Sequence, residues 1–87
     1  MAQIEMYSTQ TCPYCVSAKA FLEREGLPYR EIDVTGDDAA RAALVERAAG
    51  RRTVPQIFIN GKPIGGYTDM VELKRTGEFD KLVAQPG

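Results

Sequence analysis

The chain has 87 residues, with 12 acidic and 11 basic side chains, a net charge of −1 and no histidine. That length holds one domain, residues 1–87, with a thin core and modest stability. The balanced charge argues against nucleic-acid and membrane-surface partners, and Arg51–Arg52 is too short a basic run to read as a patch. The start, Met-Ala-Gln-Ile-Glu-Met-Tyr, has neither the basic stretch nor the apolar run of a secretory leader. No window reaches the length of a membrane span, so the cytoplasm is the expected location.

Ile4 and Met6 alternate with polar neighbours, a strand period that runs into Ser8-Thr9-Gln10-Thr11-Cys12. A helix follows from Pro13, since proline has no N–H to lose at the first helical position. Gly26 and Pro28 end it. Tyr29 to Val34 reads as a second strand, which makes a right-handed βαβ unit with parallel strands. Thr35-Gly36-Asp37-Asp38 opens a second helix whose apolar stripe is Ala40, Ala43, Leu44 and Ala48, ended by Gly50. Val54 to Ile59 is a third strand, Asn60-Gly61 a hairpin turn, and Lys62-Pro63-Ile64 the return strand. Pro63 cannot donate to a ladder, so this strand belongs at the sheet edge. Gly65-Gly66-Tyr67 reads as a loop, Thr68-Asp69 as the cap of a helix through Lys74, Gly77 as its end, and Phe79, Leu82 and Val83 as a last short helix. The expected fold is α/β and thioredoxin-like: a four-stranded mixed sheet flanked by helices, in the order βαβ-α-ββ-α.

The chemistry concentrates in the only two cysteines, Cys12 and Cys15. They close too small a loop to restrain the unfolded chain much, so a structural staple gains little from them. Placed at a strand-to-helix junction, Cys12 falls at the N-cap and Cys15 one turn on, on the same helix face. The free N–H groups of Tyr14 and Cys15 at such an end favour a thiolate, the nucleophilic form of the thiol. The helix dipole contributes about 0.3–1 kcal/mol, less than the ~1.36 kcal/mol of one pKa unit. Direct hydrogen bonds or a nearby cation must therefore do the larger share. Cys12, at the exposed tip, is expected to attack, and Cys15, one turn deeper, to resolve the mixed disulfide. A zinc site is disfavoured, since the chain offers neither a second cysteine pair nor a histidine, and no metal is expected. Without histidine, a Cys–His nucleophile is also closed. A C-x-x-C near a βαβ unit is a thioredoxin-like redox signal.

Cys12-Pro13-Tyr14-Cys15 resembles the active-site sequence of dithiol glutaredoxins, and Thr53-Val54-Pro55 and Gly65-Gly66-Tyr67-Thr68-Asp69 resemble two further family segments, in order and over nearly the whole chain. Among members, it is similar to the short bacterial class. The resemblance implies a glutathione-dependent disulfide oxidoreductase with a glutathione site. Pro55 then corresponds to a cis proline that leaves the Val54 backbone free to pair with the cysteinyl part of glutathione, beside Thr53. Thr68 and Asp69 receive the γ-glutamyl end at a helix N-terminus, Gly66 allows close backbone approach, and Pro13 and Tyr14 lie beside the tripeptide. Arg41 is the first candidate for the glycine carboxylate, with Arg51 and Arg52 behind it. Many members carry a lysine three residues before the first cysteine; here that position is Thr9.

By the same resemblance, no cofactor is bound. Glutathione is the reducing co-substrate, and NADPH enters indirectly through glutathione reductase. The partners are glutathione and glutathionylated or disulfide-containing proteins, ribonucleotide reductase among the candidates, and the chain is expected to be a monomer. Three other readings stand beside this one: an enzyme of the same fold served by thioredoxin reductase, a dimeric iron–sulfur carrier, and an inert structural disulfide.

Overall fold

The computed structural model describes residues 2–85. Its elements are β1 (Ile4–Ser8), α1 (Pro13–Arg24), β2 (Arg30–Asp33), α2 (Asp38–Arg47), β3 (Gln56–Ile59), β4 (Lys62–Gly65), α3 (Tyr67–Thr76) and α4 (Glu78–Ala84). The strands form one mixed sheet in the order β2-β1-β3-β4. β1 runs parallel to β2 and antiparallel to β3, and β4 is antiparallel to β3. Pro63 thus sits in an edge strand, where its missing N–H costs no ladder bond. The Asn60-Gly61 turn places both residues at positive φ, 52° and 81°, as a tight two-residue hairpin requires.

Each sheet face carries its own core. Ile4, Met6, Ile57 and Ile59 point to one side, against Ala18, Phe21 and Leu22 of α1, Met70 of α3 and Phe79 of α4. Phe21 and Phe79 meet edge to face with centroids 5.3 Å apart, which ties the short last helix to the first. Phe58 points to the other side, against Leu44 of α2 and Ala48, the C-cap of that helix.

Several boundaries differ from expectation for identifiable reasons. β3 begins at Gln56, because Pro55 lacks the N–H that a ladder needs. β2 is the shorter Arg30–Asp33, although Val34 is buried just beyond it. Leu44 on α2 and its C-cap Ala48 face the sheet one turn apart, which turns Ala43 out to solvent and leaves Ala40 half-buried. That helix is closed by Ala49 at φ 58°, one residue before Gly50. α3 begins earlier than expected: Gly66 is its N-cap and Tyr67 its first residue, so Thr68 and Asp69 lie inside the first turn. By contrast, α1 ends as expected, with Gly26 at φ 71° and the Leu27 N–H donating back to the Leu22 carbonyl.

The register brings one end of the sheet into focus. Tyr7 near the end of β1 lies opposite Gln56 at the start of β3, and Gly65 at the end of β4 lies opposite Ile57. The β1–α1 junction, the entry to β3 and the β4–α3 junction therefore share one edge of the molecule.

Candidate active site

The N-terminus of α1 is capped by a thiol. Cys12 adopts the extended conformation of an N-cap, and its Sγ accepts the Cys15 N–H at 3.3 Å. Among the described residues Tyr14 makes no such bond, so one of the two expected donors is in place. Cys12 Sγ also donates to the Val54 carbonyl at 3.5 Å, across the gap to the β3 entry. The Val54–Pro55 peptide is cis. Both cysteines are free thiols, Cys12 partly exposed and Cys15 only 1% exposed. Burial, reinforced by a hydrogen bond to the Cys12 side chain, pushes the Cys15 thiol up to about 12. The two sulfurs thus differ in access: one faces solvent at a helix tip, the other is held neutral beneath it.

Beside Cys12 opens a cleft of about 280 Å³, lined by Tyr14 of α1, Arg51, Thr53, Val54 and Pro55 of the β3 entry, and Gly66, Tyr67, Thr68 and Asp69 of α3. The rings of Tyr14 and Tyr67 face each other with centroids 6.3 Å apart. Asp69 reaches back to the start of its own helix, where its Oδ2 accepts the Gly66 N–H at 2.9 Å and the Arg51 guanidinium at 2.9 Å. Those bonds, the backbone one first, hold its carboxyl below the usual range. Gly65 makes room for this arrangement: at φ 101°, a side chain there would be strained, and its Cβ would strike the Asp69 carboxylate and the Arg51 guanidinium. A Cβ on Gly66 would press on the Pro55 carbonyl at 3.2 Å.

The structure gathers most of the sequence-derived candidates around this cleft: Tyr14, Thr53, Val54, Pro55, Gly66, Thr68 and Asp69 line it, with Cys12 at its margin. Pro13 is exposed at the start of α1 and is not part of the lining. Arg41 is not brought to the cleft either; its guanidinium donates to the Arg52 carbonyl at 3.1 Å. Arg51, ranked behind it, is the cleft's arginine. Two contributors were not foreseen from the sequence. Tyr67, read as loop, is the first residue of α3 and walls the cleft. Gln56, 1% exposed, donates from Nε2 to the Thr53 carbonyl at 2.9 Å and to its hydroxyl at 3.1 Å, and so props the loop that carries Val54. The one signal for Gln56 is an amide in an otherwise apolar run.

A family profile described as Glutaredoxin matches residues 4–64. The chain is 47% identical over 85 residues to a probable glutaredoxin, slr1562, of Synechocystis sp., covering 98% of this chain and 78% of that protein. It is 43% identical over 83 residues to glutaredoxin 3 of Escherichia coli K12, covering 95% and 99%. Among solved structures, the solution structure of a Brucella melitensis glutaredoxin superposes with a TM-score of 0.83 at 38% identity, over 100% of this chain and 96% of that one. A buckwheat glutaredoxin–glutathione complex superposes with a TM-score of 0.87 at 32% identity, over 95% and 77%.

Proposed function

The chain belongs to the glutaredoxin family and is a thiol–disulfide oxidoreductase, and from that premise we propose how its own residues divide the work. Glutathione is its reducing co-substrate. The Cys12 thiolate attacks the glutathionyl sulfur of a protein–glutathione disulfide. The Cys12–glutathione disulfide forms, and the protein's thiolate leaves and takes a proton. A second glutathione thiolate attacks the glutathionyl sulfur, oxidised glutathione departs, and the Cys12 thiolate is restored. With a protein disulfide, Cys12 forms the mixed disulfide, and Cys15 attacks Cys12 Sγ and expels the remaining protein thiolate. Two glutathiones then reduce the Cys12–Cys15 disulfide. Oxidised glutathione is recycled at the expense of NADPH by a separate reductase.

The observation that supports this most directly is the thiol at the α1 N-cap, bonded across to the Val54 carbonyl at the edge of the cleft. In the cleft, the Val54 backbone receives the cysteinyl part of glutathione, while the first turn of α3, with Thr68 and Asp69, receives its charged γ-glutamyl end. Gly66 admits the ligand's backbone, Tyr14 and Thr53 flank it, and Arg51 is the cation at hand for a carboxylate. Protein partners are glutathionylated or disulfide-containing proteins, ribonucleotide reductase among the candidates. The protein works as a monomer in the cytoplasm. No helix among the described residues is long and apolar enough to cross a membrane.

The test is NADPH consumption with glutathione, glutathione reductase and a small glutathione mixed disulfide, run beside Cys12→Ser and Cys15→Ser. Wild type active, Cys12→Ser silent and Cys15→Ser largely active is the expected pattern. Wild type inactive there but able to reduce disulfides with thioredoxin reductase would remove the glutathione assignment and leave the redox pair.

A further inference from the structure

Behind the active-site helix lies a polar cluster that the exchange at Cys12 does not use. Lys19 stands one helical turn beyond Cys15 on the same face of α1. Its Nζ is 2.6 Å from Oε2 of Glu31 on β2. The same Oε2 accepts the Ser8 hydroxyl at 2.7 Å, and Ser8, the last residue of β1, is 1% exposed. Three elements thus converge to hold one ammonium group on a side chain one helical turn from the buried thiol. Glu31 accepts from Lys19 first and Ser8 second, which keeps its carboxyl below the usual range, while Lys19 is raised by the same contact; both are charged at neutral pH.

Resting on the two-cysteine reading above, we propose that Lys19, anchored by Glu31 and Ser8, is a positioning residue for the resolving step. Its charge favours the Cys15 thiolate at the moment Cys15 attacks Cys12. The need for such a device follows from burial. A thiol taken out of water and bonded to its neighbour resists ionisation, and the attacking species must be the thiolate. Against burial, the groups that favour the thiolate are a backbone bond from Thr9 and the charge of Lys19. Opposing them is Cys12 on the same helix. Around the ammonium group itself stand Glu31 and Asp33 on β2 and Tyr29 just before that strand. Without Lys19, the resolving thiol would keep the Thr9 backbone bond and lose the side-chain cation that favours its thiolate. Charge balance across the step is simple. Cys15 loses its proton to solvent, its sulfur bonds to Cys12 Sγ, the bond from Cys12 to the substrate sulfur breaks, and the departing thiolate takes up a proton.

The experiment separates the two cysteines. In a Cys12→Ser background, Cys15 is the only thiol, and its ionisation is followed by ultraviolet thiolate absorbance. Adding Lys19→Gln should move that titration to higher pH, and adding Lys19→Arg should not. With both cysteines present, Lys19→Gln should slow reduction of a protein disulfide about three- to tenfold near neutral pH. Its pH–rate profile should shift upward, and Lys19→Arg should restore it. Lys74→Gln, which opens the two ion pairs that Lys74 of α3 makes with Glu25 and Asp80, should leave the profile in place. An unmoved titration and profile in Lys19→Gln overturn the inference and leave the two-cysteine mechanism standing. Full protein-disulfide reduction by Cys15→Ser overturns both, because no resolving step would then exist.

Discussion

Two helices begin at the cleft, and they treat their N-termini in opposite ways. α1 is capped by Cys12, whose sulfur accepts the Cys15 N–H and is at the same time the reactive atom. α3 has a glycine at its N-cap, and the capping group comes from Asp69 inside the first turn, which is also paired with Arg51. In the first helix the cap and the chemistry are one group; in the second the cap is a fixed carboxylate beside open backbone. The difference teaches how one structural device serves two tasks. A helix end presents unpaired N–H groups whichever residue stands there. A soft nucleophile at that position makes a redox centre, whereas a glycine with a returning carboxylate makes a charged rim.

The sharpest way to break the comparison is to separate cap from chemistry at α1. Serine is a favoured N-cap residue, so Cys12→Ser should keep the helix and hold stability within about 0.5 kcal/mol of wild type. Exchange activity should nevertheless fall to background. A variant that melts well below wild type would show that the thiol's role in the fold had been underestimated.

At α3 the corresponding change removes charge and keeps shape. Asp69→Asn retains an oxygen for the Gly66 N–H but weakens the charged bond to Arg51. A charge-assisted bond to a ligand is worth about 1.5–3 kcal/mol, so KM for a glutathione mixed disulfide should rise roughly tenfold or more. The turnover number should stay close to wild type, since Cys12 is untouched. A drop confined to the turnover number would place Asp69 in the chemical step instead. Gly65→Ala acts on the same rim by shape: the strained φ and the collision with Asp69 and Arg51 should cost about 1–3 kcal/mol in a denaturant melt.

The contrast between the two helix ends was only partly legible in the sequence. The α1 end was legible because proline after a cysteine, at the close of an alternating strand, states where a helix starts. The sheet and its order of elements followed from the same kind of punctuation: Gly26, Asn60-Gly61 and Pro63 each mark a turn or an edge by backbone chemistry alone. α3 starts two residues before the cap signal of Thr68-Asp69 because its cap is a glycine, with no side chain to announce it. Arg41 and Arg51 cannot be ranked from the sequence, because nothing local says which arginine a fold will turn toward a cleft. The structure decides between them through Asp69, 18 positions from Arg51 in the chain, which draws the Arg51 guanidinium to it at 2.9 Å. Long-range pairing of this sort has no periodic trace.

The smallest effects at neutral pH are those that appear at the extremes, where the two helix ends should be undone in opposite directions. Cys15 is raised from 9.0 to about 12 in the folded chain, by burial first. Between those values the unfolded chain has released the thiol proton and the folded chain has kept it, so the contribution is complete below pH 9 and is lost as pH rises toward 12. Asp69 is lowered from 3.8, by the Gly66 N–H first. Its contribution is complete above the unfolded value and is lost as pH falls through the folded one. Lys19 and Tyr29 add to the alkaline loss, and Glu31 and Asp33 to the acid loss, so the test is a difference between variants. Denaturant stability measured across pH should show Cys15→Ser flattening the alkaline arm and sparing the acid arm. Asp69→Asn should do the reverse. Parallel curves for wild type and Cys15→Ser above pH 9 would mean that the second thiol ionises as readily in the fold as outside it. The difference in access between the two sulfurs would then have to rest on geometry alone, with no help from their chemistry.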